Sequence, residues 1–230
     1  MSIIAVIPAR GGSKGLPNKN IKMFCDKPLL AWSIEQASHA QHISSVWVTS
    51  DSEEILEISE SFGARTIKRP AEISGDDAGT ESAWKHAIET IENLEGSIDF
   101  MVGVQCTSPL REAKDFDNGI DSLREQQLDS LFTSCKVRDN FIWGYNAEHE
   151  LSSLNHDWRQ RLLRQKIDES FVENGSFYIF KPFLIKQNGN RLGGKIGTYV
   201  MDGHKRMQID SQEDFGLCEV IMRGYGLDLL

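Results

Sequence analysis

Short apolar runs and longer amphipathic windows take turns along the chain. Ile3-Ile4-Ala5-Val6-Ile7 is a continuous apolar run closed by Pro8, the pattern of a buried strand, and a loop rich in Gly, Lys and Asn follows. Pro28 suits the first turn of a helix reaching about residue 40. Residues 46–48 repeat the strand pattern. Ser50, Asp51 and Ser52 then cap a helix whose Ile55, Ile58 and Phe62 share one face before Gly63 ends it. The spacing predicts a strand over Arg65–Lys68, a loop over 69–79, and a helix with Trp84, Ala87, Ile88, Ile91 and Leu94 on its core face. Phe100–Val104 is another buried strand, 105–111 a loop, Phe116, Ile120 and Leu123 a helix stripe, and Ser130–Val137 a strand. After a break, 176–180 and Ile196–Met201 read as strands and a last helix starts near Ser211.

This alternation predicts an α/β fold, a doubly wound and mostly parallel sheet forming a single domain over 1–230. Ligands of such sheets bind beyond the carboxyl ends of the strands, so the loops at 9–20, 69–80 and 105–111 are expected to meet in one crevice. Residues 139–172 break the rhythm, mixing Trp143, Tyr145, Trp158 and Phe171 with polar and basic residues. They read as an inserted arm used for dimer contacts.

Composition narrows the function. The net charge is −9, which argues against a nucleic-acid or membrane-surface binder. Residues 1–27, however, hold Arg10, Lys14, Lys19, Lys22 and Lys27 against Asp26 alone. A basic cluster in one Gly-rich stretch of an acidic protein points to a small, highly anionic ligand. Cys25, Cys106, Cys135 and Cys218 form no C-x-x-C pair, the six histidines show no metal spacing, and no apolar run approaches the roughly 20 residues that cross a bilayer. With a strand starting almost at Met1, no secretory leader is expected, and the cytoplasm is the expected location.

The segment from Pro8 to Asn20 carries the chemistry. Its glycines, Gly12 among them, let the backbone approach a phosphate chain; Arg10 can fork onto phosphate oxygens, Lys14 and Lys19 add compact charge, and Asn20 suits a ribose hydroxyl. The loop is neither a Walker A sequence nor a G-x-G-x-x-G fingerprint, which counts against ATPases and dehydrogenases.

P-A-R-G-G-S-K-G-x-P-x-K-N after a first strand resembles the acylneuraminate cytidylyltransferases, the CMP-sialic acid synthetases. The likeness continues through residues 45–51, Gln105-x-Thr107-Ser108-Pro109, Arg164-Gln165, Glu173-Asn174-Gly175-Ser176-Phe177-Tyr178, Gly193-Gly194-Lys195 and Tyr199-x-Met201. The resemblance implies a Rossmann-like nucleotidyltransferase fold, a homodimer, Mg²⁺ (or Mn²⁺) dependence, and transfer of CMP from CTP to a nine-carbon acidic sugar. By position it implies that Arg10 and Lys19 grip the triphosphate, Ser13 and Asn20 help hold the nucleotide, and Arg69, Ala78 and Thr80 line the cytosine pocket. Gln105, Arg164, Gln165 and Tyr178 are implied to meet the sugar acid, and Asp210 to serve metal and catalysis. The family's I-D-I-D is here Met207-Gln208-Ile209-Asp210, so Gln208 offers the metal a carbonyl oxygen without charge.

Several bland roles compete. Asp210 beside Ser211 can cap the last helix, Asp51 reads as a helix cap, Trp84 as core, and Cys106 as a small residue with no nucleophilic setting. Arg111 is left open between a phosphate contact and a surface pair. Alternatives within the chemistry are a bacterial nonulosonic acid of legionaminic or pseudaminic type, an eight-carbon sugar acid, or a nucleotide-sugar sensor without turnover.

Overall fold

The structure, a computed structural model, describes every residue except 13, 14, 76, 77, 138–140 and 230, and of residue 164 only the backbone. In chain order the elements are β1 (Ile3–Pro8), β2 (Met23–Phe24), β3 (Lys27–Pro28), α1 (Leu29–Ser38), β4 (Ser45–Ser50), α2 (Glu53–Ser61) and β5 (Arg65–Lys68). Then come α3 (Thr80–Glu95), β6 (Phe100–Val104), α4 (Ala113–Glu125), β7 (Ser130–Val137), β8 (Trp143–Tyr145) and β9 (Leu151–Ser153). The chain closes with β10 (Ser170–Phe180), α5 (Pro182–Asn188), β11 (Ile196–Met201) and α6 (Gln212–Gly224).

A seven-stranded sheet runs β11-β7-β10-β6-β1-β4-β5. β10 alone is antiparallel to its neighbours, β6 and β7. The reason lies in the connection: β7 reaches β10 through the arm, without a crossover helix, so the two pair directly as a long antiparallel excursion. Alternation along β1 sends Ile3, Ala5 and Ile7 to one face under α1, α2 and α4, and Ile4 and Val6 to the other under α3 and α5. Each fully buried side chain of this size contributes about 1.5–3 kcal/mol. A third cluster joins Leu16 and the β2–β3 hairpin to Ile209, Phe215 and Met222 near and on α6.

Several expectations shift. Pro28 precedes α1 rather than opening its first turn. Ser52, not Asp51, occupies the N-cap of α2. β10 begins at Ser170, inside the stretch expected to be arm, because Ser170 to Glu173 pair with Val137 to Ser134 before a register shift. The arm also contains the hairpin β8–β9. The short helix α5 and the two-residue strands β2 and β3 fall below the length at which periodicity registers.

Candidate active site

The carboxyl ends of β1, β5 and β6 deliver three loops to one cleft of about 630 Å³, as the parallel order requires. Arg10, Lys19, Asn20, Arg69, Ala78, Thr80, Gln105, Gln208 and Asp210 all line it. Arg10, Lys19 and Asn20 come from the phosphate loop, which a short 3-10 turn over Lys19–Ile21 tightens. Asn20 is buried and donates from Nδ2 to the Arg10 carbonyl at 3.1 Å, so its amide first fixes the loop's own shape.

Asp51 is a tether rather than a cap. Its Oδ1 accepts the Gly11 N–H at 3.1 Å and lies 3.7 Å from Arg69 Nη2, joining the phosphate loop to the opposite wall. Arg69 is buried and donates from Nε to Ser74 Oγ at 3.0 Å. Burial pulls its pKa below the ordinary value; Asp51 opposes that and the charge of Arg10 adds to it. The amide of Gly11, expected to face phosphate, is therefore already taken.

At the far lip, Lys19 Nζ donates to the Ile209 carbonyl at 2.7 Å and sits 3.5 Å from Asp210 Oδ1. The Asp210 side chain is 81% exposed. Ser211 caps α6, with Asp214 completing the capping box, which leaves Asp210 free of that duty. Gly15 packs so close that a Cβ there would stand 2.7 Å from the Asp210 carbonyl oxygen. Gly175, with φ of +63°, forms the floor beneath two carboxamides: a methyl in its place would meet Gln105 Oε1 at 2.7 Å and Gln208 Nε2 at 2.8 Å.

Not every expected residue gathers here. Gly12 is exposed and outside the lining. Tyr178 is in the core, its ring against Trp84 and under the Arg191 guanidinium, its hydroxyl donating to Glu173 Oε2 at 2.9 Å. Burial first, then Glu173, pushes that phenol up to about 12. Gln165 is exposed on the arm, away from its own chain's cleft. Ser13 and Lys14 lie outside the described residues, as does the side chain of Arg164. Arg111 is fully buried, neither a phosphate contact nor a surface pair. Cys106 lines the cleft, but burial drives its thiol up to about 11, which keeps it protonated and poorly nucleophilic.

Among the described residues no three His, Cys, Asp or Glu side chains come together as a metal cage. One exposed carboxylate beside a carboxamide suits instead an ion that arrives on a triphosphate and keeps several waters. Asp51 belongs to the 45–51 motif and reads in sequence as a helix cap, and Gly175 belongs to the 173–178 motif with no role assigned; neither reading foresees the tether to Gly11 or the place of Gly175 beneath Gln105 and Gln208.

Residues 4–221 match the family model described as cytidylyltransferase. N-acylneuraminate cytidylyltransferase A of Danio rerio is 36% identical over 230 residues, covering 97% of this chain and 52% of that one, so the chain spans about half the length of that relative. CMP-N,N'-diacetyllegionaminic acid synthase of Campylobacter jejuni is 27% identical over 222 residues, 96% of this chain and 94% of that one. A solved CMP:2-keto-3-deoxy-manno-octonic acid synthetase complexed with CTP superposes with a TM-score of 0.74 at 15% identity, over 98% of this chain and 100% of that one. At that identity the likeness is one of fold.

Proposed function

The chain belongs to the cytidylyltransferase family, and from that premise we propose that it transfers CMP from CTP to the anomeric 2-hydroxyl of N-acetylneuraminic acid or a close nine-carbon sugar acid. The observation that carries this reading is the convergence of Arg10, Lys19, Arg69, Gln105 and Asp210 on one cleft. Cations gather at the phosphate loop, the wall at Ala78 and Thr80 suits a base, and the Gln105 carboxamide suits a sugar hydroxyl.

The sugar 2-hydroxyl attacks the α-phosphorus in line; the new O–P bond forms as the α–β anhydride breaks, pyrophosphate leaves with the electron pair, and the hydroxyl proton passes to solvent. Such chemistry needs positioning and charge neutralisation more than covalent help. Arg10 and Lys19 spread the charge that builds on the triphosphate, Arg69 closes the base side, and Gln105 orients the sugar. Asp210, with Gln208 beside it through a carbonyl oxygen or a water, would hold Mg²⁺ delivered with CTP. The chemistry such an ion supplies when bound is neutralisation of the departing phosphate oxygens.

The functional unit proposed is a homodimer. Trp143, Tyr145, Leu151, Leu154, Trp158 and Phe171 are exposed together on and beside the arm, a concentration of large apolar surface that a partner arm would cover. Gln165 would then act across the interface. The four cysteines are unpaired and buried, which suits a reducing compartment such as the cytoplasm. No described helix is long and apolar enough to cross a membrane.

A second reading, a legionaminic-type sugar, is favoured by the similarity to the Campylobacter jejuni synthase along nearly the whole of both chains. Pyrophosphate release with CTP and Mg²⁺ across a panel of eight- and nine-carbon sugar acids tests both. No release with any of them would leave the fold without the activity.

A further inference from the structure

We propose that Arg111 is a positioning residue for the sugar half of the reaction, acting through Gln105; the inference rests on the cytidylyl-transfer reading above. The guanidinium is fully buried, and its donors go to neutral oxygens. Nη1 faces the carbonyls of Gln105 at 3.2 Å, Ser108 at 2.6 Å and Ser176 at 3.0 Å, with Ser176 Oγ at 3.3 Å. Nη2 donates to Ser33 Oγ on α1. The Asp115 carboxylate, which acts on it through space, is itself bonded to Lys205 Nζ at 2.7 Å. Nε has no partner.

A buried cation whose hydrogen bonds go to neutral oxygens is costly even with the Phe116 ring 5.6 Å from its guanidinium, and an apolar side chain of similar volume would fill the space at least as stably. What an apolar side chain cannot do is join three backbone carbonyls that come from two different elements. Gln105 and Ser108 belong to the turn after β6. Ser176 belongs to β10, immediately after Gly175, and its carbonyl also receives the Gln105 N–H at 3.2 Å. Gly175 is the floor on which the Gln105 side chain lies. One arm of the fork, Nη1, therefore ties the backbone that carries Gln105 to the strand that forms the surface beneath its carboxamide, while the other, Nη2, anchors it to α1. Lysine, a point charge on a flexible stem, keeps the charge and loses the fork.

The test compares wild type, Arg111→Lys and Ser33→Ala, each alone and combined with Gln105→Ala. The readouts are CTP dissociation by calorimetry, KM for the sugar acid, kcat, and thermal midpoint. Arg111→Lys should raise the sugar KM about tenfold and leave CTP binding within about twofold, since sub-ångström misplacement of a positioning group costs this much. Added to Gln105→Ala it should raise the sugar KM no further, because the group through which it acts is gone. Ser33→Ala, which removes a single anchor and spares the charge, should show the same cycle at about threefold if Arg111→Lys does not fold. Additive effects in the Gln105→Ala background overturn the proposal. So does an equal loss of CTP binding, or a lowered midpoint with unchanged sugar KM. Absence of turnover by wild type on every sugar acid is a different result: it removes the function reading, and this inference with it.

Discussion

Replacing Gly175 by Ala should separate the sugar chemistry from the nucleotide chemistry. Two costs can be worked from the structure. The backbone there has φ of +63°, a conformation that costs an L residue about 1–2 kcal/mol. For a domain of this size that lowers the melting temperature by about 2–8 °C. The added methyl would also meet Gln105 Oε1 at 2.7 Å and Gln208 Nε2 at 2.8 Å. Both are ends of flexible side chains, so they move aside, by about 0.7 Å to regain an ordinary contact. With a misplacement of 1 Å able to cost about 100-fold, kcat/KM for the sugar acid should fall at least about tenfold. On the proposed reading CTP is held by the phosphate loop and the Arg69 wall, so its dissociation constant should stay within about twofold. Calorimetry with CTP, initial rates against sugar concentration, and a thermal melt read the three quantities separately. A variant with wild-type kcat/KM would show that the Gln105 carboxamide does not touch the sugar. A variant that loses CTP binding equally would show that the floor serves the whole cleft.

Arg10→Ala and Lys19→Ala should each lower kcat/KM by at least about tenfold with an unchanged circular dichroism spectrum, as charge-assisted contacts are worth about 1.5–3 kcal/mol; near-normal rates in both would take the loop out of the active site. Asp51→Asn keeps an acceptor for the Gly11 N–H and should hold CTP within about threefold of wild type, whereas Asp51→Ala should weaken it about tenfold, both read by calorimetry. Asp210→Asn should nearly abolish turnover while sparing the fold, and Gln208→Asp should lower the Mg²⁺ concentration giving half the maximal rate. Titration of Mg²⁺ against initial rate checks both; wild-type behaviour of Asp210→Asn would place the metal elsewhere. Sedimentation at micromolar concentration should find a dimer, and a monomer would refute the role given to the arm.

The alternation of apolar runs and amphipathic windows was enough to read the sheet, because buried parallel strands and two-faced helices leave different periods in the chain. Arg65–Lys68, Phe100–Val104, Ser130–Val137 and Ile196–Met201 fall where their patterns put them. The three loops of the cleft followed from strand direction alone. The start of β10 was hidden because its first residues pair while still half-exposed, so no buried run marks them. The work of Asp51 and Arg111 was hidden for another reason. Each acts in part through distant partners, Gly11 for Asp51 and Ser33 and Ser176 for Arg111, and the composition of a neighbourhood says nothing about which distant carbonyl or amide a side chain will meet. Tyr178 shows the converse, a motif residue that packs against Trp84 and donates to Glu173 within the core, outside the lining of the cleft.

The bond from Lys19 to the Ile209 carbonyl spans 190 positions of sequence, and Leu16 shares its packing with Phe215 and Met222. During synthesis the chain emerges from its amino end, so the phosphate loop is made well before the downstream segment that braces it. Strands β1, β4 and β6 can associate while the ribosome is still at work. The grip on a nucleotide cannot be complete until α6 has been released and has folded back. A nascent chain stalled before that point would hold the first strands of the sheet while its phosphate loop still lacked the Ile209 and Phe215 brace, so completion of the cleft follows the synthesis of residues 209–224 rather than the onset of folding.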